Sequence, residues 1–189
     1  MVKTTNSYKV IGVMSGTSLD GIDICFATYY YHFGKWEFTF NNSKTVKYDK
    51  NWLCRLKNAH HLNKENLLKL DVEYTKYLSN SILQFIEENK INNIDLISSH
   101  GHTVFHLPKQ KITYQIGNRF ELCKNTGIPV VCDFRVQDVE LGGHGAPLVP
   151  IGDLLLFNGY SHCLNLGGFS NISIKHENKI IAYDICPVN

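Results

Sequence analysis

The chain has 189 residues, of which 43% are hydrophobic and 12% aromatic, enough to bury a core without disulfides or a structural metal and too apolar for a disordered or fibrous protein. Lys and Arg number 19 against 17 Asp and Glu, and no run of like charge is long enough for a nucleic-acid arm or an acidic tail, so a polyanionic partner is not expected. Apolar runs such as residues 10–14 and 154–157 fall far short of the roughly 18–20 residues of a membrane span, and residues 1–6 lack a signal-peptide core. These features lead to the expectation of a soluble, unexported protein with no membrane partner. The cysteines Cys25, Cys54, Cys123, Cys132, Cys163 and Cys186 stand singly, without a C-x-x-C pair, and read as buried thiols of a reducing compartment, by default the cytoplasm.

Taken in chain order, residues 8–14 and 22–31 read as strands separated by the turn-forming run Ser15-Gly16-Thr17-Ser18-Leu19-Asp20-Gly21. A third strand is expected over 35–46, where Trp36, Phe38 and Phe40 alternate, giving an antiparallel meander. Between Asn63 and Glu88 the apolar residues, from Leu67 and Leu70 through Phe85 and Ile86, fall on one helical face with Asn63 as cap. Further expectations are a buried strand at 94–98, a short helix at 118–125 stopped by Gly127, a buried strand at 128–132, a Gly-rich loop at 133–150 and a helix at 149–157 with Pro150 in its first turn. Strand character returns at 161–166, 171–175 and 179–183, around a Gly167-Gly168-Phe169-Ser170 turn. The sequence thus predicts an α/β layered domain over 1–158 and the opening strands of a second, similar lobe over 159–189, because strand, Gly-hydroxyl turn and returning strand occur near both ends. Three strands without covering helices leave an apolar face and an open edge, so a missing second-lobe segment is expected to complete them.

The run from Ser15 to Gly21 can aim several backbone N–H groups and the hydroxyls of Thr17 and Ser18 at an anion, although it fits neither the P-loop nor the Rossmann spacing. Alone it is as well read as a polar hairpin loop. The second turn at residues 167–171 favours phosphate, since two such loops from facing lobes hold a polyphosphate between them. Asp20 or Asp23 could then serve Mg²⁺ through water, the alternative being a turn residue and a solvated strand residue. Asp184 closes an apolar strand, where a carboxylate serves either as a general base or simply as a strand-ending turn residue. His100, His102 and His106 lack an accompanying carboxylate or Cys and are a weak metal signal, so no metal held directly by protein is predicted. His144 reads as a ligand contact or an exposed loop residue, and Arg135 and Asp138 as polar recognition or a surface ion pair.

Six runs occur together in order: Met14-Ser15-Gly16-Thr17-Ser18-Leu19-Asp20-Gly21-Ile22-Asp23, Ser99-His100-Gly101-His102-Thr103, Gln115-Ile116-Gly117-Asn118, Asp133-Phe134-Arg135, Gly145-Ala146-Pro147-Leu148-Val149-Pro150 and Asn165-Leu166-Gly167-Gly168-Phe169-Ser170-Asn171. Together they resemble the anhydro-N-acetylmuramic acid kinase family from about residue 8 to the end. The resemblance implies an α/β actin-like ATPase (ribonuclease H-like, actin/hexokinase-like) lobe with a mixed sheet. It further implies a bacterial cytoplasmic enzyme of cell-wall recycling that uses ATP and Mg²⁺ to convert 1,6-anhydro-N-acetylmuramic acid, an anhydro-amino sugar, to N-acetylmuramic acid 6-phosphate while water opens the anhydro ring. It admits a homodimer. Nucleotide contacts carry over to Gly16, Thr17, Ser18, Leu19, Asp20, Gly21, Ile22, Asp23, Gly167 and Gly168, and the general base to Asp184. Sugar contacts carry over to His100, His102, Thr103, Asn118, Arg135, Asp138, Ala146 and Pro147.

Departures fall at His102, Gln137 and His144, and in the closing turn, where Asp184-Ile185-Cys186-Pro187-Val188-Asn189 stands for the family's D-x-G-P-G-N. Cys186 and Val188 restrict the backbone beside the implied base. Asp184 is kept, so the chemistry remains possible, but the family's chain continues into segments that complete the second lobe; the isolated 189-residue chain is expected to be inactive, and a non-catalytic sugar-binding or regulatory protein on the same scaffold is the alternative.

Overall fold

The computed structural model describes residues 6–176 and 179–188. Outside them lie the first five residues, read above for a leader, and Asn189 of the closing turn.

Strands β1 (Asn6–Ser15), β2 (Ile22–His32) and β3 (Lys35–Val46) form the expected antiparallel meander, with Tyr8 opposite Tyr29 and Ile22 opposite Val46. Helix α1 (Lys50–Lys57) and a single 3-10 turn at Ala59–His61 lead to α2 (Lys64–Glu88). Then follow β4 (Leu96–Leu107), β5 (Ile112–Ile116), α3 (Phe120–Thr126), β6 (Val130–Val131), α4 (Val136–Glu140) and α5 (Pro150–Leu156). Strands β7 (His162–Leu166), β8 (Phe169–His176) and β9 (Lys179–Pro187) close the described chain.

In the first sheet β3-β2-β1 continue into β4, which runs parallel to β1, and β6 lies parallel to β4 on its other side. Only β2 opposes the other members of this series, so the sheet is mixed, as expected. β5 is a hairpin extension, pairing antiparallel with the outer half of β4 from His102 to Leu107. The core sits between one face of this sheet, through Ile11, Val13, Ile22, Ile24 and Ile97, and the apolar stripe of α2, through Leu70, Tyr74, Leu78, Ile82 and Phe85. Asn63 caps α2 as expected, its Oδ1 accepting from the Asn66 amide at 2.9 Å. The second sheet is the antiparallel set β7-β8-β9. Leu164, Leu166, Phe169, Ile181, Tyr183 and Ile185 stand exposed on it.

Several expectations are corrected. Helix α1 was not anticipated, since only Trp52 and Leu56 of its residues are buried. The strand placed at 94–98 runs on to Leu107, through the histidine motif. Within the expected loop at 133–150 lies α4, and the helix expected from 118 starts at Phe120. Phe169 and Ser170 belong to β8, leaving a turn of Gly167 and Gly168 alone, and β9 passes Asp184 and ends at Pro187. None of the cysteines is fully buried, and Cys54 and Cys186 are exposed.

Candidate active site

The turn between β1 and β2 takes its shape from two features. Leu19 adopts a left-handed backbone at φ 60°, with its amide bonded to the Gly16 carbonyl at 3.3 Å. At Gly21 a Cβ would stand 2.6 Å from the Val46 carbonyl oxygen, so glycine lets β3 approach this turn. Ser18 Oγ donates to Asp20 Oδ1 at 2.7 Å, and Thr45 Oγ1 donates to Asp23 Oδ1 at 2.5 Å, orienting both carboxylates.

Gly16, Thr17, Ser18, Asp20 and Asp23 line one cavity of about 610 Å³ with Leu166, Gly167, Gly168, Phe169 and Val188. The two glycine-hydroxyl turns of the sequence therefore face the same space. Leu19 lines a different cavity behind the turn, while Gly21 and Ile22 continue into β2, Ile22 wholly buried. Asp184 lies in β9 opposite Asn171, exposed, and is not among the residues lining the 610 Å³ cavity. Beside it, Ile185 is the extra residue of a bulge, since Cys186 pairs with Ser170 while Asp184 pairs with Asn171. Ser170 Oγ donates to the Cys186 carbonyl at 3.1 Å and the Val188 amide to the Gly168 carbonyl at 3.1 Å, which joins this bulged segment to the second turn.

A second bulge, in β4, sorts the histidine motif. Val13 pairs with Ser99 but Ser15 pairs with His102, so one extra residue is taken up where Gly101 adopts φ 70°. A Cβ there would meet the Ile116 carbonyl oxygen at 2.6 Å. His100 consequently lines a cavity of about 530 Å³ on the outer sheet face with Met14, Asp23 and Phe134. His102 turns inward onto Ser15, and it lines a cavity of about 390 Å³ with Thr17, Lys57, His60 and Thr103.

Asn118, Arg135 and Asp138, three of the residues expected to contact sugar, gather around His100. Arg135 Nε donates to His100 Nε2 at 3.0 Å and its Nη1 to the Gly145 carbonyl at 2.5 Å. Asp138 Oδ2 accepts from the Gly145 amide at 2.6 Å, and Asn118 Nδ2 donates to the His100 carbonyl and to Asp133 Oδ1, each at 3.1 Å. Asn118 in turn accepts from Ser99 Oγ at 3.1 Å. Gly145 thus joins Arg135 to Asp138 immediately before Ala146 and the cis Pro147. Burial, with the nearby Arg135 and His106, lowers the His100 pKa, although a hydrogen bond to the Gly101 carbonyl opposes this. Thr103 stands apart from this group, beside His102.

Sequence reasoning missed three contributors. Asp71 of α2, almost fully buried, accepts from the Gly117 amide and from the Tyr114 hydroxyl, both at 2.8 Å, and so holds the 115–118 segment. The Tyr114 pKa is pushed up to about 12, first by burial and then by donation to Asp71. Tyr48 and Tyr74 hydrogen-bond Ser15 at the foot of the first turn. A charged residue on the apolar stripe of α2 was the readable signal for Asp71; the tyrosines gave none. Among the described residues no three or more His, Cys, Asp or Glu side chains gather so as to hold a metal ion, and no helix is long and apolar enough to cross a membrane.

The chain has sequence relatives among characterised families. A kinase of that name from Hydrogenovibrio crunogenus, "Anhydro-N-acetylmuramic acid kinase", is 35% identical over 95% of this chain and 50% of its own length. The one from Pseudoalteromonas translucida is 32% identical over 97% of this chain and 51% of its own. A Ppx/GppA family member from Aquifex aeolicus superimposes with a TM-score of 0.38 at 9% identity, over 96% of this chain and 52% of that one. The chain spans about half the length of the curated relatives it matches. A family model for anhydro-N-acetylmuramic acid kinase matches residues 8–189, and the chain belongs to that family.

Proposed function

We infer that the chain supplies the nucleotide turn, the sugar loops and the base of an ATP-dependent kinase that converts 1,6-anhydro-N-acetylmuramic acid to N-acetylmuramic acid 6-phosphate in cytoplasmic cell-wall recycling. The observation that carries this reading is the shared 610 Å³ cavity between the turn at Gly16, Thr17 and Ser18 and the turn at Gly167 and Gly168. Backbone N–H groups and hydroxyls there face the phosphates, and His100, Asn118, Arg135 and Asp138 hold the sugar. Asp20 and Asp23, both on that cavity, suit a hydrated Mg²⁺, which prefers one or two carboxylates plus waters and offsets phosphate charge. In the reaction Asp184 takes a proton from water as it adds to the anomeric carbon; the anhydro C–O bond breaks, and the freed oxygen accepts the γ-phosphoryl group, releasing ADP. Closure of the two lobes around the ligands excludes water that would waste ATP.

One observation favours a second reading. Asp184 is exposed outside the cavity lining, beside Cys186 and Val188. A non-catalytic sugar-binding or regulatory protein would need the sugar loops but not that carboxylate. Titration calorimetry with Mg·ATP and the anhydro sugar, separately and together, distinguishes the two. The kinase reading expects saturable nucleotide binding and, with both ligands present, heat from turnover that Asp184→Asn abolishes while nucleotide affinity stays nearly intact. Sugar binding with no nucleotide response establishes the second reading instead, and turnover unchanged in Asp184→Asn refutes Asp184 as the base.

A further inference from the structure

At the root of the first turn three hydroxyls form a closed triangle. Ser15 Oγ lies 2.6 Å from Tyr48 Oη, Tyr48 Oη lies 2.6 Å from Tyr74 Oη, and Tyr74 Oη donates to Ser15 Oγ at 2.7 Å. All three side chains are buried, Tyr74 completely. A fourth group touches the triangle: His102 Nδ1, 3.2 Å from Ser15 Oγ.

Counting protons fixes the direction of each contact. Three contacts at this distance need one proton each, and three hydroxyls own three protons, one apiece. Because Tyr74 donates to Ser15, the complete ring runs from Ser15 to Tyr48, from Tyr48 to Tyr74, and from Tyr74 back to Ser15. Ser15 then has no proton left for His102, and its second lone pair accepts from the imidazole. The ring proton of His102 therefore sits on Nδ1, and Nε2 carries a lone pair. His102 is 3% exposed, hydrogen-bonds through Nδ1, and lines the 390 Å³ cavity beside Thr17, Lys57 and His60. Burial, then the neighbouring His100, pushes its pKa down to about 4, with a hydrogen bond to the Ser15 backbone opposing, so the ring stays neutral around pH 7.

We propose that Tyr48 and Tyr74 are positioning residues, whose closed hydroxyl ring with Ser15 fixes His102 as its Nδ1–H tautomer and presents Nε2 as a hydrogen-bond acceptor to a hydroxyl or amide donor of the bound ligand. The same ring ties His102 to the residue from which the phosphate-binding turn springs. Nucleotide side and ligand side are thereby held by one buried network, and its functional meaning rests on the kinase reading above; the tautomer does not.

The test is long-range ¹H–¹⁵N correlation on the ligand-free chain with labelled histidines, His102 being assigned by the loss of its signals in His102→Gln. Expected is a protonated-type Nδ1 and an unprotonated-type Nε2 for His102 in the unaltered protein. Tyr48→Phe opens the ring, frees the Ser15 proton to donate to Nδ1, and shifts His102 toward Nε2–H, while backbone amide spectra report whether the fold persists. The proposal is overturned if His102 is the Nε2–H form in the unaltered chain, or if a folded Tyr48→Phe protein keeps the Nδ1–H form. Should Tyr48→Phe not fold, the tautomer of the unaltered chain alone decides. Failure to bind Mg·ATP would remove the kinase reading and leave this result standing.

Discussion

Replacing Asp71 tests whether the 115–118 segment is held from beneath by a buried carboxylate. Its two oxygens accept from the Gly117 amide and the Tyr114 hydroxyl at 2.8 Å each, and Arg119 Nη1 stands 3.9 Å away. Hydrogen bonds to a charged group contribute about 1.5–3 kcal/mol each, and a buried N–H left without a partner adds its own desolvation cost. Asp71→Ala removes both bonds and strands the Gly117 amide, while Tyr114, only partly buried, can reach water. The expected loss is about 3–5 kcal/mol, or roughly 6–20 °C in Tm for a chain of this size. Asp71→Asn should behave differently, because its carbonyl oxygen can still accept from Gly117 while its NH₂ donates to the Tyr114 oxygen, so the loss should be about 1 kcal/mol. Thermal unfolding by circular dichroism compares the two. Spectrophotometric titration of Tyr114 gives a second readout: with the carboxylate gone, its pKa of about 12 should fall toward the ordinary tyrosine value. Equal destabilisation by Ala and Asn, or a Tyr114 titration unmoved by Asn, would refute the account.

Gly101→Ala places a Cβ 2.6 Å from the Ile116 carbonyl at φ 70°; the β4 bulge should be destabilised by about 2–3 kcal/mol in urea unfolding, and a change below a few tenths would contradict the geometry. Stability should also depend on His102 in a defined window. Its folded pKa of about 4 lies below the unfolded value near 6.5, so the unfolded chain binds the proton first. The contribution is complete above about pH 6.5 and is lost as pH falls toward 4, by about 3 kcal/mol in all. Urea midpoints across that range, for the unaltered chain and His102→Gln, should diverge as pH rises; a constant difference would exclude the buried neutral ring.

Much of the fold is legible because it is local. The 15–21 turn, the meander around it and the α2 stripe each announce themselves within a dozen or two dozen residues, and Asn63 caps where its side chain predicts. Helix α1 is not legible in the same way. Its buried anchors are only Trp52 and Leu56, in a short octet that carries four polar residues, and the Asp49 cap that starts it, accepting from the Trp52 amide at 2.7 Å, is a two-body contact. Strand β4 hides because Ser99-His100-Gly101-His102-Thr103 is polar and broken by glycine. Its polar residues are satisfied by partners far along the chain: Ser15 for His102, Asn118 for Ser99, Arg135 for His100. The site divides likewise. Gly16–Ser18 and Gly167–Gly168 are readable as turns, but their meeting, and the Ser15-Tyr48-Tyr74 ring, join segments 26 residues apart or more.

The β4 bulge shows how one backbone feature divides a motif between two tasks. In an uninterrupted strand, residues i and i+2 share a face, so His100 and His102 would stand side by side. With Gly101 left-handed, the pairing advances three residues on β4 for two on β1, and the two rings part to opposite faces. Each nevertheless meets a partner that fixes its proton. Arg135 can only donate, so His100 Nε2 accepts from it and His100 Nδ1 carries the hydrogen toward the Gly101 carbonyl at 2.9 Å. His102 Nδ1 carries its hydrogen toward Ser15. One histidine thus steadies Arg135 on the outer face and the other presents an acceptor behind the turn at residues 15–21. The bulge thus gives the two rings different partners, Arg135 for one and Ser15 for the other.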